Sequence, residues 1–142
     1  MIKSKFQKIL VPLDGSKNSL RGLNHAIYLA RQCQAIVTGI YVIPRPPHPA
    51  FRGASYPEKP YLKDAESTVE YAKKFAAQNG ILFEKKIAFG DPGFTIVKFA
   101  KGKKFDIIVI GARGRSTLKE MFLGSVSNYV LHKANVPVLV VK

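Results

Sequence analysis

Directly after the apolar stretch Phe105–Ile110, glycines stand at positions 111, 114 and 124, and Ser125 closes the set. Glycine lets backbone N–H groups approach an anion without a Cβ in the way. A helix starting just beyond points its unsatisfied N–H groups and positive dipole end at the same spot. Three glycines and a hydroxyl between a strand and a helix therefore read as a phosphate cradle. The spacing is neither Gly-x-x-x-x-Gly-Lys-Ser/Thr nor Gly-x-Gly-x-x-Gly, so the P-loop NTPase and dinucleotide-binding readings lose their main support.

The elements that must hold this cradle alternate along the chain. Lys8–Leu13 reads as a short buried strand, and Asp14, Gly15 and Ser16 supply a turn and an N-cap for a helix from Lys17 to about Gln32, with Leu20, Leu23, Ile27 and Ala30 on one face. Ala35–Ile43, rich in β-branched residues, is a second strand. The proline-dense stretch Pro44–Pro60 reads as irregular, a flap that a bound ligand would order. A helix over Tyr61–Asn79 stops at Gly80, and Ile81–Ala88 is a third, more amphipathic strand nearer a sheet edge. Gly90–Gly93 opens a short helix to about Lys101, Phe105–Ile110 is strand four, Ser125–Lys133 the last helix and Val136–Val141 strand five. Strand and helix alternating in this way, with near-continuous apolar strands, predict an α/β fold in three α/β/α layers, a Rossmann-like parallel sheet covered on both faces. Ligands then lie at the carboxyl ends of the strands. If strands one and four are neighbours, Asp14, Val42–Pro44 and Gly111 converge on one crevice.

The length of 142 residues and 46% hydrophobic content fit one domain over 1–142. No secretory or membrane-spanning stretch is evident, which points to the cytoplasm. Cys33 reads as a packing residue, and His25, His48 and His132 show no metal-ligand spacing, so no metal site is expected. The formal net charge of +14 attracts polyanions, but the cations come in ones and twos, and no RNA-recognition or zinc-finger signature accompanies them.

Pro12–Ser16, the Gly90-x-Pro92 turn, the Gly111/Gly114/Gly124-Ser125 pattern and the terminal Val136–Val141 strand together resemble a universal stress protein of the ATP-binding subclass, over the whole chain except Pro44–Pro60. The resemblance implies a five-stranded parallel sheet of order 3-2-1-4-5, an adenine nucleotide (ATP, or ADP or AMP) in the crevice, and a homodimer through Val136–Val141. In that reading Asp14 accepts hydrogen bonds from the ribose hydroxyls, its alternative being a plain Asx turn. Val42 offers its backbone to the adenine edge, while Pro12, Leu13 and Ile110 sandwich the ring. Gly111, Gly114 and Gly124 wrap the phosphates, Ser125 adds a hydroxyl, and Val126 and Ser127 offer the next N–H groups. Arg113 and Arg115 flank Gly114 and either bind the β- or γ-phosphate or sit in solvent. Ser16 reads as an N-cap, Tyr41 and Tyr129 as packing residues, and Lys119 and Glu120 as exposed.

No catalytic residue is assigned, because no carboxylate besides Asp14 is pinned near the loop by a motif, and fast phosphoryl transfer needs positioned metal ligands. Any Mg2+ would ride on the phosphates. A nucleotide-dependent switch with an unknown protein partner is the leading reading. A slow ATPase or phosphotransferase and a basic nucleic-acid-binding module stand as alternatives.

Overall fold

A computed structural model of the chain describes residues 6–45, 58–114 and 123–142. The elements run β1 (Lys8–Leu13), α1 (Lys17–Cys33), β2 (Ile36–Ile43), α2 (Glu58–Gln78), β3 (Phe83–Phe89), α3 (Pro92–Gly102), β4 (Ile107–Gly111), α4 (Ser125–Lys133) and β5 (Val138–Val141). All five strands are parallel, in the order β3-β2-β1-β4-β5. The neighbouring of β1 and β4 is set by the pairs Ile9↔Ile107 and Leu10↔Ile108.

Alternation along the strands decides which helix covers which face. Ile9, Val11 and Leu13 of β1 point to one side, with Val37, Ile107 and Val109, and meet Leu23, Ala26, Ile27 and Ala30 of α1 and Ala72 and Ala76 of α2. Leu10 points to the other side, with Ile40, Val42, Ile108 and Ile110, against Ile96 and Ala100 of α3 and Val130 of α4. Central strands buried on both faces account for the unbroken apolar runs in the sequence. β3 is an edge strand, as its amphipathic sequence predicts. Lys85 on β3 ion-pairs with Glu70 on α2, and that hydrogen bond and charge hold the Glu70 carboxyl below the usual glutamate range.

Several expected element starts are corrected: β3 begins at Phe83 rather than Ile81, and β4 at Ile107 rather than Phe105. α2 starts at Glu58, so the end of the Pro44–Pro60 stretch is helical. Pro60 is its third residue, inside the first turn, where an N–H has no intrahelical partner to lose. The expected flap otherwise lies mostly outside the described residues. β5 starts at Val138 rather than Val136, because Pro137 lacks an N–H. The Pro137 carbonyl still accepts from the Ile108 N–H at 3.0 Å, so the chain enters alignment there.

At the amino ends of the strands, opposite the crevice, Asp106 is 9% exposed and its Oδ2 accepts the Gln7 and Lys8 N–H groups at 2.9 Å each, fastening the start of β1 to β4. Among the described residues no helix is long and apolar enough to cross a membrane.

Candidate functional site

Where β1 ends, the turn is built by side chains that answer backbone groups. Gly15 takes φ +81°, a left-handed conformation that glycine adopts without strain. Asp14 Oδ1 accepts the Ser16 N–H at 2.9 Å, an Asx turn. The Ser16 hydroxyl then accepts the Ser19 N–H at 3.1 Å and caps α1, as its position in the sequence predicts. Asp14 is therefore a turn former, yet its second oxygen is directed elsewhere. A Cβ placed on Gly114 would lie 2.7 Å from Asp14 Oδ2, so the carboxylate and the glycine loop face each other at close range.

The loop after β4 is stitched to the first turn of α1. A Cβ on Gly111 would stand 2.7 Å from the Asn18 carbonyl oxygen and 2.8 Å from Asn18 Oδ1, which is why this position is glycine. Asn18 Oδ1 accepts the Arg113 N–H at 2.6 Å. That donor fixes which end of the amide is oxygen and leaves Nδ2, in a residue 7% exposed, as a buried donor with no hydrogen-bond partner.

The chain returns to the site at α4, and Ala112 anchors it there. Its N–H donates to the Val141 carbonyl, while its own carbonyl accepts the Gly124 N–H at 2.7 Å and the Ser127 hydroxyl at 2.6 Å. Ser127 is 3% exposed, so its hydroxyl fastens the helix start to the loop and only its backbone is left for any ligand. Gly124 is the N-cap of α4 and supplies no side-chain cap, and the first turn holds no acidic residue. The N–H groups at this helix start are thus left without a side-chain acceptor, at the positive end of the dipole.

These segments enclose a cavity of about 300 Å³, within the range of small-molecule sites. Pro12, Leu13, Asp14, Val42, Ile110, Gly111, Arg113, Gly114, Gly124, Ser125, Val126 and Ser127 all line it. Arg115, Lys119 and Glu120 lie outside the described residues. The cavity has apolar walls from Pro12, Leu13, Val42 and Ile110, and a polar rim where Asp14, Arg113 and Ser125 gather.

Five lining residues escape the sequence reading, Ser19, Tyr41, Tyr61, Pro92 and Ile96, while Pro44 lines the cavity as the convergence of Val42–Pro44 predicts. Tyr41 does pack, against Ile43, Ala65 and Val69, but it also walls the cavity. Tyr129 packs as expected, since a Cβ on Gly93 would meet its ring at 2.8 Å. Pro92 follows the Asp91 N-cap of α3, and Ile96 stands one turn further on, so helical spacing alone could have placed the pair on one face. Among the described residues no group of three or more His, Cys, Asp or Glu side chains could hold a metal ion.

Comparison with known proteins gives this geometry a context. The family model of the universal stress protein family matches residues 5–142. Universal stress protein MJ0531 of Methanocaldococcus jannaschii is 36% identical over 140 residues, covering 96% of this chain and 82% of the relative. Universal stress protein YxiE of Bacillus subtilis is 35% identical over 147 residues, covering 96% and 99%. Among solved structures, universal stress protein UspA from Lactobacillus plantarum superposes with a TM-score of 0.90 at 27% identity, over 99% of this chain and 100% of that one. A universal stress protein in complex with cAMP gives 0.77 at 27% identity, over 98% and 99%. The universal stress protein from Archaeoglobus fulgidus in complex with dAMP gives 0.76 at 26%, over 96% and 98%.

Proposed function

The chain belongs to the universal stress protein family, and we propose that residues 1–142 work as one cytoplasmic nucleotide-binding domain that holds an adenine nucleotide and changes partner affinity with its occupancy. The observation that carries this reading is the cavity at the carboxyl ends of β1, β2 and β4, where the glycine loop, the Asp14 carboxylate and the uncapped start of α4 meet. The match to two relatives solved with cAMP and dAMP supports the adenine class.

The donor set fits such a ligand. Pro12, Leu13, Val42 and Ile110 offer an apolar slot for the base, and Asp14 Oδ2 is an acceptor suited to ribose hydroxyls. Any Cβ at Gly114 would crowd that oxygen, which supports a close approach of backbone to ligand. Gly111, Gly114, Gly124, Ser125, Val126 and Ser127 would take the phosphates through backbone N–H groups and the Ser125 hydroxyl, with Arg113 and Arg115 neutralising their charge. Mg2+ would be held by the phosphates. Among the described lining residues Asp14 is the only carboxylate, and this favours a holder with little or no hydrolysis over an ATPase.

Thermal melting with ATP, ADP, AMP and cAMP at millimolar concentration tests the reading, with Mg2+ present and absent. A rise with at least one adenine nucleotide, and none with a pyrimidine nucleotide, is expected. No rise with any of them overturns it. The functional unit in this proposal is a homodimer through Val136–Val141, supported by β5 lying at the sheet edge with Leu139 41% exposed.

A further inference from the structure

Nucleotide binding leaves the charge of the chain unexplained: 23 basic residues against 9 acidic ones. The acidic residues are unevenly placed. Glu58, Asp64, Glu66 and Glu70 lie on α2 and Glu84 on β3, Asp91 caps α3, Asp106 is buried under β1, and Asp14 faces the cavity. From Gly15 to Pro57 the sequence carries none.

α1 falls wholly within that gap. Its inner face is buried through Leu23, Ala26, Ile27 and Ala30, and its exposed residues are His25 and Gln32 toward one side and Lys17, Arg21, Asn24, Tyr28 and Arg31 along the middle. At about 100° and 1.5 Å per residue, the five along the middle form one stripe about 80° wide and about 21 Å long. Tyr28 is 67% exposed within it.

The stripe breaks two rules of helix stability. Lys17 opens α1 at the positive end of its dipole, with no acidic residue in the first turn, and Lys17 and Arg21 are like charges at i, i+4. Several cations elsewhere have local reasons to be where they are, and Arg31 shares one of them, in the last turn of α1. Lys101 and Lys133 sit in the last turns of α3 and α4, where the dipole favours them. Lys8 and Lys86 lie over the rings of Phe105 and Phe99, and Lys85 pairs with Glu70. Among the described residues neither Lys17 nor Arg21 is paired with a carboxylate. Local rules broken without a local gain mark a surface kept for something outside the fold.

We propose that the outer face of α1 docks single-stranded nucleic acid, with Lys17 and Arg21 on neighbouring phosphates, Arg31 on a phosphate further along the strand, and Tyr28 between them as a stacking platform for a base. The stripe holds no aliphatic side chain, so it lacks the apolar seam on which a partner helix would sit. Cations beside an exposed aromatic ring are what sequence-tolerant single-strand sites combine, and in a duplex the base faces are hidden from that ring. The docking face is separate from the cavity and does not rest on the nucleotide reading.

Fluorescence anisotropy of a labelled twenty-nucleotide oligo(dT) with the full chain tests this. Three phosphate contacts at about −0.7 each predict a slope of log K against log [salt] of about −2. The triple variant Lys17→Glu, Arg21→Glu, Arg31→Glu should lose at least about tenfold in affinity and flatten the slope, and Tyr28→Ala about fivefold or more. The matched triple Lys98→Glu, Lys101→Glu, Lys104→Glu removes the same charge from the exposed side of α3 and just beyond it, and should keep most of the binding. Equal losses in the two triples would mean attraction by net charge alone and overturn the proposal. Binding of poly-glutamate through α1 with no binding of oligo(dT) would overturn it in favour of an acidic protein partner. If circular dichroism shows the reversal triple unfolded, Lys17→Gln, Arg21→Gln, Arg31→Gln gives the same reading, and unchanged affinity in that variant refutes the docking face.

Discussion

Gly114→Ala isolates the contact between the loop and Asp14. The added Cβ would stand 2.7 Å from Asp14 Oδ2, short of an ordinary contact by about 0.7 Å. Either the carboxylate rotates and gives up the Ser16 N–H it accepts at 2.9 Å, or the loop lifts away from the cavity. Losing the turn bond costs about 1 kcal/mol in the free protein, which for 142 residues is a drop of roughly 3 °C in melting temperature. The effect on ligand is larger, because a misdirected carboxylate forfeits a charged hydrogen bond of about 1.5–3 kcal/mol, a ten- to hundredfold rise in Kd. ATP at a hundred times Kd stabilises the wild type by about 2.7 kcal/mol, a rise of roughly 9 °C. At the same concentration the variant retains about 0.4–1.4 kcal/mol, a rise of roughly 1–5 °C. Differential scanning fluorimetry over an ATP series separates the two effects, since one moves the unliganded melt and the other its ligand dependence. A variant with the full wild-type rise would refute the placement of ligand against Gly114 and Asp14.

Three further perturbations probe other parts of the molecule. Asp106→Ala orphans the Gln7 and Lys8 N–H groups and should cost about 2–4 kcal/mol, a fall of roughly 7–13 °C in the melt with the ATP-dependent rise intact; a melt within 2 °C of wild type, on the order of 0.5 kcal/mol, would show that the clamp is dispensable. Val138 and Val140 pack on the core cluster beneath α4, and Leu139 is the exposed side chain of β5. Leu139→Asp, rather than Val138→Asp or Val140→Asp, should therefore release monomers from a homodimer built on β5, and light scattering of the wild type at tens of micromolar giving the 15.7 kDa of one chain would refute that interface. Glu70 has a lowered pKa in the folded chain, so its pairing with Lys85 stabilises above the usual glutamate pKa and is lost as pH falls through the lowered value. The melting difference between wild type and Glu70→Gln should therefore shrink on acidification through that window, and a difference independent of pH would contradict the pairing.

What was legible in the sequence was local. Both bounds of β1 and of α4 follow from an apolar run and from a glycine-serine start, and these signals need no distant partner. The start of α2 is not legible because Pro60 reads as a breaker, although in a first turn it takes nothing from the helix, and Tyr61 carries no local sign that it walls a cavity. Ser19 and Ile96 are unremarkable on their own helices. They reach the cavity because right-handed crossovers bring the starts of α1 and α3 to the same end of the sheet. The strand order came from family resemblance, since periodicity tells which face of a strand is buried and not which strand lies beside it. The Gly111–Asn18 approach joins residues far apart in sequence and carries no local signature.

The site is made largely of backbone, and α1 is what gives that backbone its shape. Asn18 and Ser19, in the first turn of α1, hold the two loops that face each other: Asn18 takes the Arg113 N–H, and Ser19 completes the cap that follows Asp14. Holding Arg113 leaves a cost of about 1–3 kcal/mol in the unpartnered Asn18 Nδ2. Among the described residues it is the only buried side-chain polar atom without a partner, and it lies directly beneath the glycine loop. A core whose other buried polar side-chain atoms, among the described residues, are satisfied and which tolerates this one is arranged for the geometry of the loop rather than for stability alone. Removing the orphan with an apolar side chain would also release Arg113, so the cost and the shape of the site cannot be separated at this position.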